Sequence, residues 1–272
     1  MEENVLIVRK EENVSTIVFN RPDQRNSLTP EQLLQLVDAL EELKADGQTR
    51  AIVFRGAGNK AFSSGYNIGQ IPSRGSGQPQ VTDEKPPDPR LRDNPLQLAL
   101  EAVRGFPYPT IAMIGGYCMG AGCELAATCD IRIASDNSRF AMPPVKLNVL
   151  YSPTGVQRFL NILGLGWTNY LFLTGRTIDA QKAKEMGFIQ EMVTLDKLEA
   201  VTYELAQEIA ENAPLAVKGT KTLIAKLYGY QGLNEEDRRE VAKLTAECFA
   251  SEDLREAQRA FLEKRKPKFQ GR

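Results

Sequence analysis

The chain has 272 residues, 42% of them hydrophobic, and sets 34 basic residues against 35 acidic ones for a formal net charge of -1. That length allows one large domain, or one domain with a smaller helical part, around a substantial core, and the balanced charge offers no field to recruit nucleic acid or an anionic membrane surface. Histidine is absent, which excludes Ser-His-Asp and Cys-His nucleophiles, histidine metal sites and histidine bases, so any chemistry must rest on carboxylates, tyrosines, lysines or backbone amides.

The beginning, "MEENVLIVRKEEN", is acidic and lacks the charged-then-apolar order of a signal peptide, and no run of 18 apolar residues could span a bilayer, so a cytoplasmic protein is expected. Residues 5–9 and 14–19 are rich in β-branched side chains and predict two paired strands. "SLTPEQLLQLVDALEELKADG" predicts a helix. Thr29 is its N-cap, Pro30 its first residue and Gln32 closes a capping box; Leu33, Leu36, Val37, Leu40 and Leu43 form one face, and Gly47 ends it. "AIVFRG" (51–56) returns as a strand, and a strand, helix and strand in this order predict a parallel crossover.

From Gly69 to Leu96 the pattern is lost in prolines and glycines, which predicts a long mobile surface loop that closes over substrate. A helix over about 95–105, a strand over 110–114, a glycine stretch, a helix ending at 128 and a strand over 130–134 follow, and "SRFAMPP" adds a short extended piece. Three of the four cysteines, Cys118, Cys123 and Cys129, fall in this apolar region. Reduced, buried thiols are the expectation, because C-x4-C-x5-C offers only three ligands at loose spacing and no metal is expected there. Beyond residue 153 every segment reads as helical: 154–163, 167–173, 179–186, 195–212, 214–228 and 235–262. The pattern therefore gives an α/β core followed by helices suited to subunit contacts.

Two places share one design: a strand, then glycine, then the first turn of a helix. In one Gly65 precedes Tyr66; in the other Gly120, Ala121 and Gly122 open the segment that carries Glu124. The first amides of a helix have no intrahelical partner and carry partial positive charge, so two such ends brought together would hold a developing oxyanion. Tight strand-to-helix connections without that role have the same appearance. Glu124 stands alone among Cys123, Leu125, Ala126 and Ala127. A carboxylate there is either an acid or base with a raised pKa or a structural group paired with a backbone amide or an arginine.

The segments "NRPDQRNSL", "AFSSGYNIGQIP", "GGYCMGAGCELAATCDIRIAS", "FAMPPVKLNVLYSPTGVQRF", "LTGRTIDAQKAKEMGFIQEMV" and "AFLEKRKPKF" together resemble the crotonase (enoyl-CoA hydratase/isomerase) superfamily over essentially the whole chain. The resemblance implies a spiral of ββα units with a helical C-terminal region. Residues 1–200 would form the core with the acyl-CoA and catalytic site, and residues 201–272 a helical region for subunit contacts. It implies that the backbone amides of Tyr66 and Ala121 hold a thioester oxygen as it becomes an enolate. It implies coenzyme A contacts from Arg25, Ser27, Leu28, Ser64, Asn67 and Ile68, with Phe261 and Lys264 reaching a neighbouring subunit's ligand in a homotrimer or dimer of trimers. Coenzyme A would be part of the substrate, with no separate cofactor.

Hydratases of this superfamily use two glutamates. The first corresponds to Glu124, but Pro144 occupies the place of the second, and proline is neither acid nor base. The run "F-x-M-x-P-V-x-L-x-V-x-Y" ending at Tyr151 is most similar to the methylmalonyl-CoA decarboxylase branch, which carries histidine where this chain has Tyr66 and threonine where it has Pro143. Decarboxylation of a malonyl-type thioester needs no base for the loss of CO2, only a held oxygen and an oriented carboxylate. Tyr151 is then expected to bind that carboxylate, or else to be a half-buried aromatic with a satisfied hydroxyl. The alternatives are a hydratase, isomerase or hydrolase of acyl-CoA using Glu124 alone, and a non-catalytic acyl-CoA binder.

Overall fold

The computed structural model describes residues 4–67, 88–92, 94–227, 235–265 and 267–268. Strands β1 (Leu6–Glu11) and β2 (Val14–Phe19) form an antiparallel pair, and helix α1 (Pro30–Asp46) carries the chain to β3 (Ala51–Gly56), which runs parallel to β2. The α1 boundaries follow from local chemistry: Oγ1 of Thr29 accepts the Gln32 N–H at 3.3 Å, Pro30 fits the first turn, and Gly47 closes the helix at φ +66°. Leu33, Leu36, Leu40 and Leu43 are buried. The expected capping box is only half formed. Gln32 turns its side chain away, and Nε2 donates to the Val5 carbonyl at 2.5 Å.

From β3 onward a unit repeats: one strand joins a first sheet, a shorter strand joins a second sheet, and a helix follows. The units are β3, β4 (Ala61–Ser63) and α2 (Pro95–Gly105); β5 (Thr110–Ile114), β6 (Tyr117–Met119) and α3 (Ala121–Thr128); and β7 (Ile131–Ser135), β8 (Arg139–Ala141) and α4 (Pro153–Thr174). With β9 (Ile178–Asp179) and β10 (Glu191–Val193), the six-stranded sheet has the order β1-β2-β3-β5-β7-β10, and the four-stranded sheet the order β4-β6-β8-β9. This is the expected α/β spiral of ββα units. Phe19, Phe54, Phe62, Phe140, Phe159 and Phe188 fill its core. The strands buried on both faces read as continuous apolar runs, as parallel sheets require.

Beyond residue 153 the chain is not wholly helical. β9 (Ile178–Asp179) pairs with β8 and β10 (Glu191–Val193) with β7, closing one edge of each sheet before α6 (Leu198–Glu211) and α7 (Pro214–Leu227). α4 joins the two expected helices through Gly164, whose φ of +69° and ψ of 176° interrupt the helical geometry. The helix expected over 235–262 is two, α8 (Glu235–Ala250) and α9 (Glu252–Leu262), divided where Ser251 caps the second. Most of the loop expected between residues 70 and 95 lies outside the described residues. Pro89–Arg92 is a short 3-10 turn, where Arg90 pairs with Asp38.

Candidate active site

β4 and β6 are parallel neighbours, with Ala61 beside Tyr117 and Ser63 beside Cys118. The segments that leave their ends, Ser64–Asn67 and Gly120–Ala121, therefore emerge side by side. Gly65 has φ +97°, and a Cβ there would stand 2.8 Å from the Met119 carbonyl oxygen and 3.4 Å from the Ala121 nitrogen. Only glycine permits that conformation and approach.

Ala121 is the first residue of α3, so its N–H has no carbonyl four residues back within the helix. Tyr66 is not in the first turn of a helix, as the sequence suggested; it forms a parallel β-bridge with Leu28. The bridge uses the Leu28 N–H to the Gly65 carbonyl at 2.8 Å and the Asn67 N–H to the Leu28 carbonyl at 2.9 Å. In such a bridge the intervening Tyr66 N–H points away from Leu28. Sheet pairing thus presents at Tyr66 what a helix start presents at Ala121.

The residues expected to hold coenzyme A gather on the same edge. The Ser64 N–H donates to the Arg25 carbonyl at 2.9 Å, Arg21 Nη1 donates to the Ser27 carbonyl at 2.9 Å, and the Arg25 guanidinium lies 5.6 Å from the centre of the Tyr117 ring. Asn26 ties this turn down: fully buried, it accepts the Arg21 N–H and donates to the carbonyls of Ala57 and Ala61. Arg25, Ser27, Leu28, Ser64, Tyr66 and Asn67 are thus brought together, while Ile68 lies outside the described residues. Phe261 and Lys264 stand elsewhere on the chain, at the end of α9, which packs on α8 and on the turn Pro144–Leu147. Phe261 is 54% exposed.

Glu124 is 1% exposed and bound on both oxygens. The Tyr151 hydroxyl donates to Oε2 at 2.5 Å, and Nη1 of Arg158 donates to Oε1 at 2.6 Å. Burial pushes the Glu124 carboxyl above its ordinary value, outweighing the Tyr151 hydrogen bond and the Arg158 charge that pull it down. Burial and the neighbouring Glu124 charge hold the Tyr151 hydroxyl well above the usual phenol range. Glu124 thus has the arginine partner that one reading named and the raised carboxyl that the other named. Pro144, at the start of its turn, is buried and supplies no second carboxylate.

Arg158 is the residue that sequence reasoning missed. Its separation from Glu124 by 34 positions hides the pair from any local pattern, but Gly155 and Arg158 lie three apart on α4 and share a helix face. Arg158 also lines a cleft of about 1030 Å³ between α2, the end of α3, α4 and α7, with Thr128, Asp130, Asn161 and Lys221 on its walls. Among the described side chains, Cys118, Cys123 and Cys129 are free and buried, and burial pushes the Cys129 thiol up to about 12. Among the described residues no helix is long and apolar enough to cross a membrane.

A family profile described as "Enoyl-CoA hydratase/isomerase" matches residues 9–272. The short-chain-enoyl-CoA hydratase of Clostridium acetobutylicum is 32% identical over 98% of this chain and 97% of its own. The methylmalonyl-CoA decarboxylase of Escherichia coli strain K12 is also 32% identical, over 98% of this chain and 97% of its own. A solved structure of methylmalonyl-CoA decarboxylase in complex with 2-nitronate-propionyl-CoA superposes with a TM-score of 0.88 at 31% identity, covering 99% of both chains. With the repeated strand-strand-helix unit and a match along nearly its whole length, the chain belongs to the enoyl-CoA hydratase/isomerase family, within the crotonase superfamily.

Proposed function

We propose that this protein is an acyl-CoA lyase that decarboxylates a malonyl-type thioester resembling methylmalonyl-CoA. The observation that carries the reading is the state of the buried Glu124 carboxylate. Glu124 is engaged on both oxygens by Arg158 and Tyr151, and Pro144 stands where a second acid would be needed to activate water. Pro144 cannot serve as the second acid of a two-carboxylate hydration, whereas the amides of Tyr66 and Ala121 stand on adjoining segments.

In this reading the thioester oxygen faces the N–H groups of Tyr66 and Ala121. The bond between Cα and the carboxylate carbon breaks and CO2 leaves. The electron pair of that bond forms the Cα=C bond of an enolate, whose oxygen takes the negative charge, and a proton from solvent water then adds at Cα, leaving hydroxide to be neutralised by buffer. Each oxyanion donor contributes about 3 kcal/mol, so two lower the barrier by about 5–6 kcal/mol. Tyr151 turns its hydroxyl from Glu124 towards the substrate carboxylate and keeps the breaking bond perpendicular to the thioester plane. Arg25, Ser27, Leu28, Ser64, Asn67 and Ile68 bind the coenzyme A portion, with Phe261 and Lys264 serving a neighbouring subunit in a homotrimer or dimer of trimers. The likeness to a decarboxylase structure that holds an acyl-CoA analogue supports this assignment.

The test is turnover on malonyl-, methylmalonyl-, crotonyl- and 3-hydroxyacyl-CoA, following CO2 release and the absorbance of the conjugated thioester. CO2 release from a malonyl-type substrate is the expected result. Conjugation changes without CO2 would establish a hydratase or isomerase instead, and thermal stabilisation without turnover a binder.

A further inference from the structure

Glu124 has a second partner besides Tyr151, one that does not belong to the oxyanion site. Arg158 approaches from α4, with its side chain 14% exposed against 2% for that of Glu124, and pairs with Oε1 while Tyr151 occupies Oε2. If the Tyr151 hydroxyl turns to a substrate, Oε2 loses its donor. A buried carboxylate left without a partner is strongly disfavoured and takes up a proton instead.

We propose that Arg158 is a positioning residue of this site: its guanidinium compensates the Glu124 carboxylate, so that the Tyr151 hydroxyl can be shared between Glu124 and the substrate. The inference rests on the decarboxylase reading for its effect on rate, but the arrangement itself is independent of substrate. The groups that face the pair are few. Arg158 and Tyr151 come from α4 and the residues just before it, and Cys123 lies on α3 itself. Glu101 and Arg104 of α2 line the same cleft as Arg158. Among the described residues Arg158 is thus the cation paired with Glu124.

Burial already outweighs the partners of Glu124, and without Arg158 one of the two pulls against it is gone. Glu124 keeps a proton to higher pH and donates it to the Tyr151 oxygen, reversing the hydrogen bond. A lysine in its place restores a charge with a shorter reach and one point of contact.

The experiment compares the intact protein with Arg158→Met, Arg158→Lys and Glu124→Gln. Infrared spectra recorded across pH without substrate follow the protonated-carboxyl band that disappears in Glu124→Gln. Kinetics with methylmalonyl-CoA supply kcat and KM. In Arg158→Met we expect the Glu124 midpoint to rise by a unit or more, kcat to fall at least tenfold and KM to stay within threefold, with partial recovery of all three in Arg158→Lys. A midpoint unchanged in Arg158→Met overturns the proposal, as does an unchanged kcat in an enzyme that decarboxylates. If Arg158→Met does not fold, an unshifted midpoint in Arg158→Lys overturns it equally. Should the protein turn over no malonyl-type thioester, the functional reading fails on its own, and the infrared midpoint alone decides the role of Arg158.

Discussion

A Cβ on Gly155 would stand 2.7 Å from Oε1 of Glu124. It would also lie 2.6 Å from Cε1 of Tyr151, so α4 can bring Arg158 to the carboxylate only because this position has no side chain. Gly155→Ala must move the helix, the carboxylate or the tyrosine, and overpacking of this kind typically destabilises by about 1–3 kcal/mol. We expect a loss of that size in urea denaturation and a fall in turnover of at least about tenfold. A folded Gly155→Ala protein with full activity would separate the Glu124–Tyr151 geometry from the reaction.

Ala121 offers a way to delete one oxyanion donor while sparing the helix. It is the first residue of α3, where proline is well tolerated because the missing N–H has no intrahelical role. Ala121→Pro should leave the helical circular dichroism unchanged and lower kcat by about 10²–10³-fold, the loss seen when one such donor is removed. Wild-type turnover in that variant would end the oxyanion assignment.

How much of this was readable beforehand follows from the range of each interaction. Strands β1, β2, β3, β5 and β7 and the apolar face of α1 were legible because β-branched, apolar runs and a 3.6-residue period are local signals. β9 and β10, of two and three residues, are too short to carry a period and exist through pairing with β8 and β7. Tyr66 follows glycine, but its N–H is turned from Leu28 by a sheet-like bridge to that residue, 38 positions earlier, and not by the helix start that the local pattern suggested. Arg158 stayed hidden because its partner lies on another helix, and Gln32 because the Val5 carbonyl, distant in sequence, competed for its side chain.

Asn26 should show how binding depends on a buried amide. Its side chain satisfies the Arg21 N–H and the carbonyls of Ala57 and Ala61, and its φ of +54° suits asparagine better than most residues. Asn26→Ala leaves those groups unpaired, which destabilises by about 1–3 kcal/mol. The turn holding Arg25 and Ser27 would loosen from the segment holding Ser64. Titration with acyl-CoA should show KM raised by more than kcat is lowered; the opposite split would move this turn away from ligand binding.

The burial of Glu124 sets the sign of a pH dependence. Its carboxyl is raised above the ordinary value of 4.5 in the folded protein. Between that value and the higher folded one, the native state holds the proton more tightly than the unfolded chain. Stability attributable to this group is therefore complete below 4.5 and falls as pH rises through the folded pKa, levelling off beyond it. Glu124→Gln cannot titrate, so the difference in unfolding free energy between it and the wild type should change across that window and be constant on either side. Paired urea denaturations at half-unit pH steps would measure it. A difference that instead grew in favour of the wild type with rising pH would mean that Arg158 and Tyr151 outweigh burial, with Glu124 ionised at lower pH than an exposed carboxyl.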